Sequence, residues 1–201
     1  MPTKNGSKKN LPITSRKRTL SRLMAVQIFY QFEFFNKNTA AEASESSVDD
    51  NSLNAIEKFT REKNAVTKIG LADLKNSLID NYAINDEDDI KSYRDKIDVT
   101  LIDNLINGLN LDLANIDADI APFLKGEWTL ENISPIMLQI LRLAALELKF
   151  SQDIPLKVLV NEYVDVAACF FAANKVTFAN SVIENLAKNY RAEEFSTIKN
   201  K

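Results

Sequence analysis

The sequence predicts an all-α protein, a compact bundle of about seven helices, because the apolar residues recur every three or four positions through most of the chain. Only four glycines are available for the tight turns of a β-sheet protein, and short segments join the last three predicted helices. A content of 45% hydrophobic and 26% charged residues is typical of a globular chain, and 201 residues are enough to bury a core.

The helices of the first two thirds are predicted from their apolar stripes. A basic tail, residues 1–13, precedes a helix that Thr14 or Ser15 caps. An acidic segment before Ile90 begins the strongest of these helices, and Pro122 interrupts the helix that follows it. In chain order, the predicted helices cover about 14–35, 53–63, 65–83, 89–109 and 112–125.

Three helices with recognisable N-terminal signals close the chain. Ser134 stands before Pro135, Asp153 precedes Pro155 in the same manner, and Asn174 is the expected cap of the last helix. These signals predict helices at about 135–150, 155–171 and 174–190, with residues 192–201 left as a C-terminal tail.

The composition excludes several kinds of functional site. Without histidine, Ser–His–Asp and Cys–His catalysis and His-containing zinc sites are impossible, and the four glycines form no phosphate-binding loop. Cys169 cannot form an intrachain disulfide and is expected as a small core residue. No apolar run reaches the roughly 18 residues of a membrane span. We therefore expect a cytoplasmic protein without a histidine-based catalytic or zinc site and without a membrane span.

The charge of the chain is unevenly distributed. The first 32 residues carry seven cations and no acidic residue, so the rest carries a net −10 in a chain whose total is −3. A basic arm on an acidic body favours an anionic polymer as a partner. Cations at a helix N-terminus oppose the helix dipole, so phosphate binding explains the cluster better than stability does. A solvated helix start is the alternative.

Four sequence blocks together resemble one family. They are AVQIFYQFE at 25–33, LQILRLAALEL at 138–148, DIPLKVLVNEYVDVA at 153–167 and TFANSVIENLAK at 177–188. Each alone is an amphipathic helix, but their order and spacing resemble the NusB family of bacterial transcription antitermination factors.

The resemblance implies a fold, a function and partners. It implies one domain at 14–191, made of two small helical subdomains, with a lineage-specific insertion at 38–94. It implies a non-catalytic factor that binds the single-stranded boxA RNA of ribosomal RNA leader transcripts. It further implies that the RNA is bound together with NusE, a small-subunit ribosomal protein, and that both join RNA polymerase with other Nus factors.

The resemblance and the charge pattern together indicate site residues. Gln27 is expected either at a base edge or as a helix-surface amide, and Phe178 either stacks on a base or packs in the core. Tyr30 and Glu131 align with positions that face NusE, with helix packing and helix-terminal charge as their alternatives. Trp128 is expected to anchor a loop. The expected RNA-binding residues are Arg16, Lys17, Arg18, Arg22, Gln27, Lys175 and Phe178.

The chain departs from the family at the turn before its last helix. The family favours His and Lys where this chain has Val176 and Thr177, so Lys175 is the only nearby cation. This departure leaves open a second function, a helical protein-binding adaptor whose RNA binding is weak or lost. Salt-dependent RNA binding separates the two.

Overall fold

The protein folds as a bundle of α-helices, which confirms the predicted class. The computed structural model describes residues 17–44, 70–80 and 95–199, with side chains up to Phe34 in the first range and Thr197 in the last. Within these ranges there is no strand, and no helix is long and apolar enough to cross a membrane. The helices are α1 (Lys17–Ser44), α2 (70–80), α3 (Val99–Ile120), α4 (Pro135–Phe150), α5 (Leu156–Ala168), α6 (Ala173–Tyr190) and α7 (Ala192–Lys199).

Several sequence predictions fall on other parts of the chain. The basic tail, Arg16, the helix at 53–63 and most of the insertion at 38–94 lie outside the described residues.

Helix α4 lies at the centre of the bundle. Every residue from Met137 to Leu148 is buried, as expected for a helix that is apolar around most of its circumference. It packs against α1, α3, α5 and α6. The contact with α3 is close at Gly108, where a Cβ atom would stand 3.1 Å from Cδ2 of Leu146. A small residue there lets the two helices approach.

Helix α3 joins two helices that were predicted separately. It begins at Val99, ten residues after the predicted start, because Asp98 caps it by accepting a 3.0 Å hydrogen bond from the N–H of Leu101. The backbone at Asp112 (φ −120°, ψ 15°) makes a kink at the predicted junction, and the helix continues beyond it. Pro122 lies in a 3₁₀ turn, Ala121–Phe123, that ends this part of the chain.

Of the three predicted N-caps of the last helices, Ser134 is confirmed in position and the other two are wrong. Ser134 occupies the N-cap position of α4 but makes no side-chain hydrogen bond there. At α5 the carboxylate of Glu194, rather than Asp153, accepts from the N–H of Leu156 at 2.7 Å. Asn174 lies inside α6, which begins at Ala173.

The predicted C-terminal tail is helical over 192–199, and a buried arginine, Arg191, stands immediately before this helix. Arg191 donates to the carbonyl oxygens of Leu148 at 2.9 Å, of Ile154 at 2.8 Å and of Ser151. These carbonyls lie at the C-terminal end of α4 and in the loop to α5. Arg191 therefore satisfies backbone acceptors that would otherwise lack an intrahelical partner.

Candidate nucleic-acid interface

Arg22 was predicted to contact RNA phosphates, and the structure contradicts this. Its side chain is only 1% exposed and forms a two-pronged ion pair with Glu147, at 2.6 Å from Nε and 2.8 Å from Nη2. Nη1 also donates to Glu162 at 3.1 Å. The guanidinium thus joins α1, α4 and α5. Because two carboxylates surround a buried cation, its charge is not available to a phosphate.

Two hydroxyl groups complete this cluster. Tyr163 donates to Oε2 of Glu147 at 2.6 Å, and Thr19 donates to Oε2 of Glu162 at 2.7 Å. Burial and the nearby Glu147 carboxylate raise the pKa of Tyr163 well above its ordinary value. Burial is the largest single effect and would lower the pKa of Arg22, but the hydrogen bond to Glu147 and the charges of Tyr163, Glu147 and Glu162 together outweigh it, and the pKa is raised. These hydrogen bonds make the cluster a fixed part of the core.

Lys17 and Arg18 remain as exposed cations at the start of α1. Arg18 borders a groove of about 370 Å³ beside the C-terminal end of α4, where Phe150 is 60% exposed. The groove also contains the carboxylates of Asp98 and Asp153. This end of the bundle therefore offers two cations that could meet phosphates, with acidic groups next to them.

Lys175 and Phe178 lie together at the start of α6, beside Trp128. The Trp128 and Phe178 rings have centroids 6.1 Å apart and planes tilted by 44°. With Ile133, Met137 and others they line a cavity of about 190 Å³. Trp128 is 45% exposed and is therefore more open than a loop anchor, whereas Phe178 is half-buried and packs against the core. Sequence reasoning found Phe178 but did not place Trp128 beside it.

These two regions lie near opposite ends of α4. The aromatic cavity is lined by Ser134 and Met137, and the basic groove by Phe150. At 1.5 Å rise per residue, Met137 and Phe150 are separated by about 20 Å along the helix axis. The structure therefore does not bring the predicted RNA-binding residues into one pocket, and one nucleotide cannot reach both regions.

The other predicted residues are dispersed. Gln27 is half-buried on α1, and half-buried Tyr30 stacks on Phe34 with ring centroids 6.5 Å apart. Phe34 is 54% exposed. Glu131 is exposed in the loop before α4. Tyr30 and Phe34 together give α1 an accessible aromatic surface.

A second buried ion cluster was missed by sequence reasoning. Arg142 of α4 pairs with Asp117 of α3 at 2.6 Å and 2.7 Å, and also with Glu33 of α1. A signal was present, because Arg142 and Glu147 interrupt the otherwise apolar core of α4, and buried charges need partners. Their partners come from distant parts of the chain, so the sequence alone did not identify them.

Cys169 was expected in the core, but it is exposed. Its thiol lies 3.4 Å from the carbonyl oxygen of Asp165, to which it donates. Desolvation and the Asp165 carboxylate raise the pKa of the thiol, which makes it less nucleophilic at neutral pH. In the described ranges, no group of three or more acidic or cysteine residues could hold a metal ion.

Comparison with known proteins identifies the family. The family model described as "NusB family" matches residues 64–188, more than half of the chain. The chain belongs to the NusB family. The match begins inside the predicted insertion at 38–94, so residues 64–94 fall within the family's own range, whereas α1 precedes the matched range.

Individual relatives support this membership. A Bradyrhizobium sp. "Transcription antitermination protein NusB" is 37% identical over 91 residues, covering 45% of this chain and 54% of that protein. The chain thus spans about half the length of this relative. A Bartonella tribocorum protein of the same name is 27% identical over 91% of this chain and 96% of its own length. The solved structure of T. maritima NusB covers 89% of this chain and 96% of its own, with a TM-score of 0.55 and 23% identity, and supports the fold.

Proposed function

We propose that this chain is a non-catalytic transcription antitermination factor that binds boxA RNA together with NusE and joins the RNA polymerase antitermination complex in the cytoplasm. The proposal is supported by membership in a family whose relatives carry the name transcription antitermination protein. The observation that carries the RNA part is a pair of accessible regions. One holds the exposed cations Lys17 and Arg18, of which Arg18 borders the groove at one end of α4, and the other is the cleft of Trp128, Lys175 and Phe178 at the other end.

The two regions divide RNA binding into two kinds of contact. Lys17 and Arg18 are exposed and meet phosphates, which attract cations without regard to sequence. The aromatic region meets bases, because every base has a face that can stack. Since about 20 Å separates the regions along α4, a strand of several nucleotides is needed to occupy both. Single-stranded RNA fits this requirement better than a small ligand.

NusE is proposed to bind the aromatic surface of α1. Phe34 is more than half exposed and stacks on Tyr30, so the pair presents a rigid apolar patch. Aromatic residues are enriched at the centres of protein interfaces. Glu131 is exposed and is proposed to add a charged contact.

One observation favours the second function, a protein-binding adaptor with weak RNA binding. The burial of Arg22 removes one of the expected RNA-contacting cations from the surface. In addition, Val176 and Thr177 replace basic residues of the family pattern. The adaptor therefore remains the alternative that an RNA-binding assay must exclude.

The test measures the affinity of the chain for labelled boxA RNA and for a scrambled RNA of equal length. Fluorescence anisotropy at several salt concentrations gives the salt slope of each affinity. In the Lys17→Ala/Arg18→Ala variant, the salt slope should fall by up to about 1.4, at roughly 0.7 per phosphate contact of a single strand. The matched control is Lys157→Ala/Lys188→Ala, which removes the same charge from α5 and α6.

The control variant should keep the slope of the unsubstituted chain. If the salt slope falls equally in both double variants, the fall reflects the net charge of the chain and not a contact made by Lys17 and Arg18. No preference for boxA over the scrambled RNA, with or without NusE, would favour the adaptor.

A further inference from the structure

We propose that Trp128 is the base-stacking residue of this chain, and that its cleft beside Phe178 and Lys175 holds one nucleobase of a bound RNA strand. This inference rests on the proposed RNA-binding function and deepens it. It assigns the exposed stacking face to Trp128, with Phe178 as the supporting wall.

The Trp128 and Phe178 rings differ in exposure, and this difference assigns stacking to Trp128 and support to Phe178. Trp128 is 45% exposed, whereas Phe178 is half-buried and packs against the core. With centroids only 6.1 Å apart and planes tilted by 44°, the rings touch each other and leave no space for a base between them. A base must therefore stack on the exposed part of the Trp128 ring that lines the cleft, with Phe178 as the adjacent wall.

The size of the cleft limits its occupant. Its volume of about 190 Å³ is smaller than the roughly 300–1,000 Å³ of pockets that enclose a whole small-molecule ligand. Ile133 and Met137 provide an apolar floor, and Ser134 and Asn174 add polar groups at the edge. One planar ring system attached to a longer chain fits this description.

The loop that carries Trp128 is fixed before any ligand arrives. Gly126 has a φ of 72°, in the left-handed region that favours glycine, and so begins the turn. Asn132 accepts a hydrogen bond from the N–H of Thr129 at 2.7 Å and donates to the carbonyl oxygen of Glu127, so it spans Trp128 on both sides. The N–H of Ile133 also donates to the carbonyl oxygen of Thr129 at 3.0 Å. A preordered loop reduces the entropy lost on binding.

The charge around the cleft favours RNA over an apolar peptide side chain. Lys175 lines the cleft and lies over the Phe171 ring, with Nζ 5.4 Å from its centroid. The first turn of α6 also begins here; the N–H of Lys175 donates to the Asn174 side chain at 2.9 Å, and Ala172 provides no capping side chain. Both features attract the phosphate next to a stacked base. Glu127 and Glu131 are exposed in the same loop and oppose this attraction, so the cleft suits one phosphate rather than a run of them.

The chain contains its own probe for this site, because Trp128 is its only tryptophan. Stacking of a base on the indole should quench its emission. We expect quenching that saturates as boxA RNA is added and follows the same binding curve as the anisotropy of the labelled RNA. If the RNA binds by anisotropy and the Trp128 emission stays unchanged, the inference is overturned while the proposed function stands. If no RNA binds at all, both fail.

Variants provide the second measurement. Trp128→Leu should weaken RNA binding by about 5- to 140-fold, from the roughly 1–3 kcal/mol of one stacked base at 1.4 kcal/mol per tenfold. Trp128→Phe keeps an aromatic face and should lose less. The matched control is Leu111→Ala, which removes an exposed apolar side chain of α3 outside the cleft and should leave RNA affinity unchanged.

A far-UV spectrum and a thermal melt establish that each variant is folded. Equal RNA affinity in folded Trp128→Leu and the unsubstituted chain would contradict the inference. It would also be overturned if Trp128 emission changes on adding the proposed protein partner and never on adding RNA, because the cleft would then bind protein.

Discussion

Arg22 is the residue whose substitution separates stability from RNA binding most clearly. It is 1% exposed, and its main partner Glu147 is 3% exposed at the side chain. Replacing Arg22 by Met keeps side-chain volume at the junction of α1, α4 and α5 but removes the charge. Glu147 would then stay buried with only the Tyr163 hydroxyl as its remaining donor among these contacts.

The expected cost is large because a buried charge loses its counter-charge. Removing one partner of a buried ion pair costs about 3–5 kcal/mol. Glu162 adds less to the total, since its side chain is 19% exposed and water can solvate it when Arg22 is gone. Against a usual stability of about 5–15 kcal/mol, this loss is at least about a fifth of the total. At about 2–4 °C per kcal/mol for a chain of this size, Tm should fall by about 6–20 °C.

The assay is urea unfolding followed by far-UV circular dichroism, with the double variant Arg22→Met/Glu147→Leu as the matched control. Replacing both members of a buried pair by apolar residues is often neutral or stabilising, so the double variant should recover most of the loss. RNA affinity of the folded double variant should match that of the unsubstituted chain. A stability loss below about 1 kcal/mol in Arg22→Met, or a selective loss of RNA affinity, would refute the assignment of Arg22 to the core.

Two further predictions concern the same bundle. The pKa values of Tyr163 and Tyr190 are both raised, chiefly by burial, so their contribution to stability is fully present below the ordinary pKa of about 10 and is lost as the pH rises through the raised values. Unfolding midpoints in urea should therefore fall between pH 9 and pH 11, and a midpoint that rises over this range would contradict the assignment. Asp98→Ala removes the cap of α3 and should cost about 0.5–2 kcal/mol. Asp98→Asn should cost much less, because the amide oxygen of Asn can accept the same hydrogen bond from the N–H of Leu101. Thermal melts of the two variants decide this, and equal losses would show that the cap is not the cause.

Apolar periodicity was sufficient to predict the class of the fold and the body of most helices. It also came close to the kink, because the predicted break at 110–111 lies next to Asp112, the only non-helical backbone inside α3. The same prediction made one helix of 89–109, but the helical backbone breaks at Ile97 and Asp98 before α3 begins, and the predicted start lies outside the described residues. The acidic segment before Ile90 is a common helix-starting signal, but the cap that operates is Asp98, whose N–H also donates to Ser21 of α1 at 2.7 Å.

The site residues were predicted less well, because charge in a sequence does not reveal burial. Arg18 and Arg22 lie one turn apart in the same basic cluster, yet Arg18 is exposed and Arg22 is enclosed by carboxylates from α4 and α5. Those carboxylates lie 125 and 140 positions away in the chain. Trp128 was predicted to anchor a loop, and its contact with Phe178 was not foreseen because Phe178 lies on α6, 50 positions away in the chain.

The joint binding of boxA RNA and NusE is the central claim, and a thermodynamic cycle tests it most directly. RNA affinity is measured by anisotropy at one fixed salt concentration, with and without saturating NusE, and NusE affinity is measured with and without saturating RNA. Linkage requires both ratios to be equal, and about 5- to 150-fold tighter binding is the usual range for two coupled sites. We predict equal ratios within this range for boxA and ratios near one for a scrambled RNA. Identical boxA affinity with and without NusE would contradict the account.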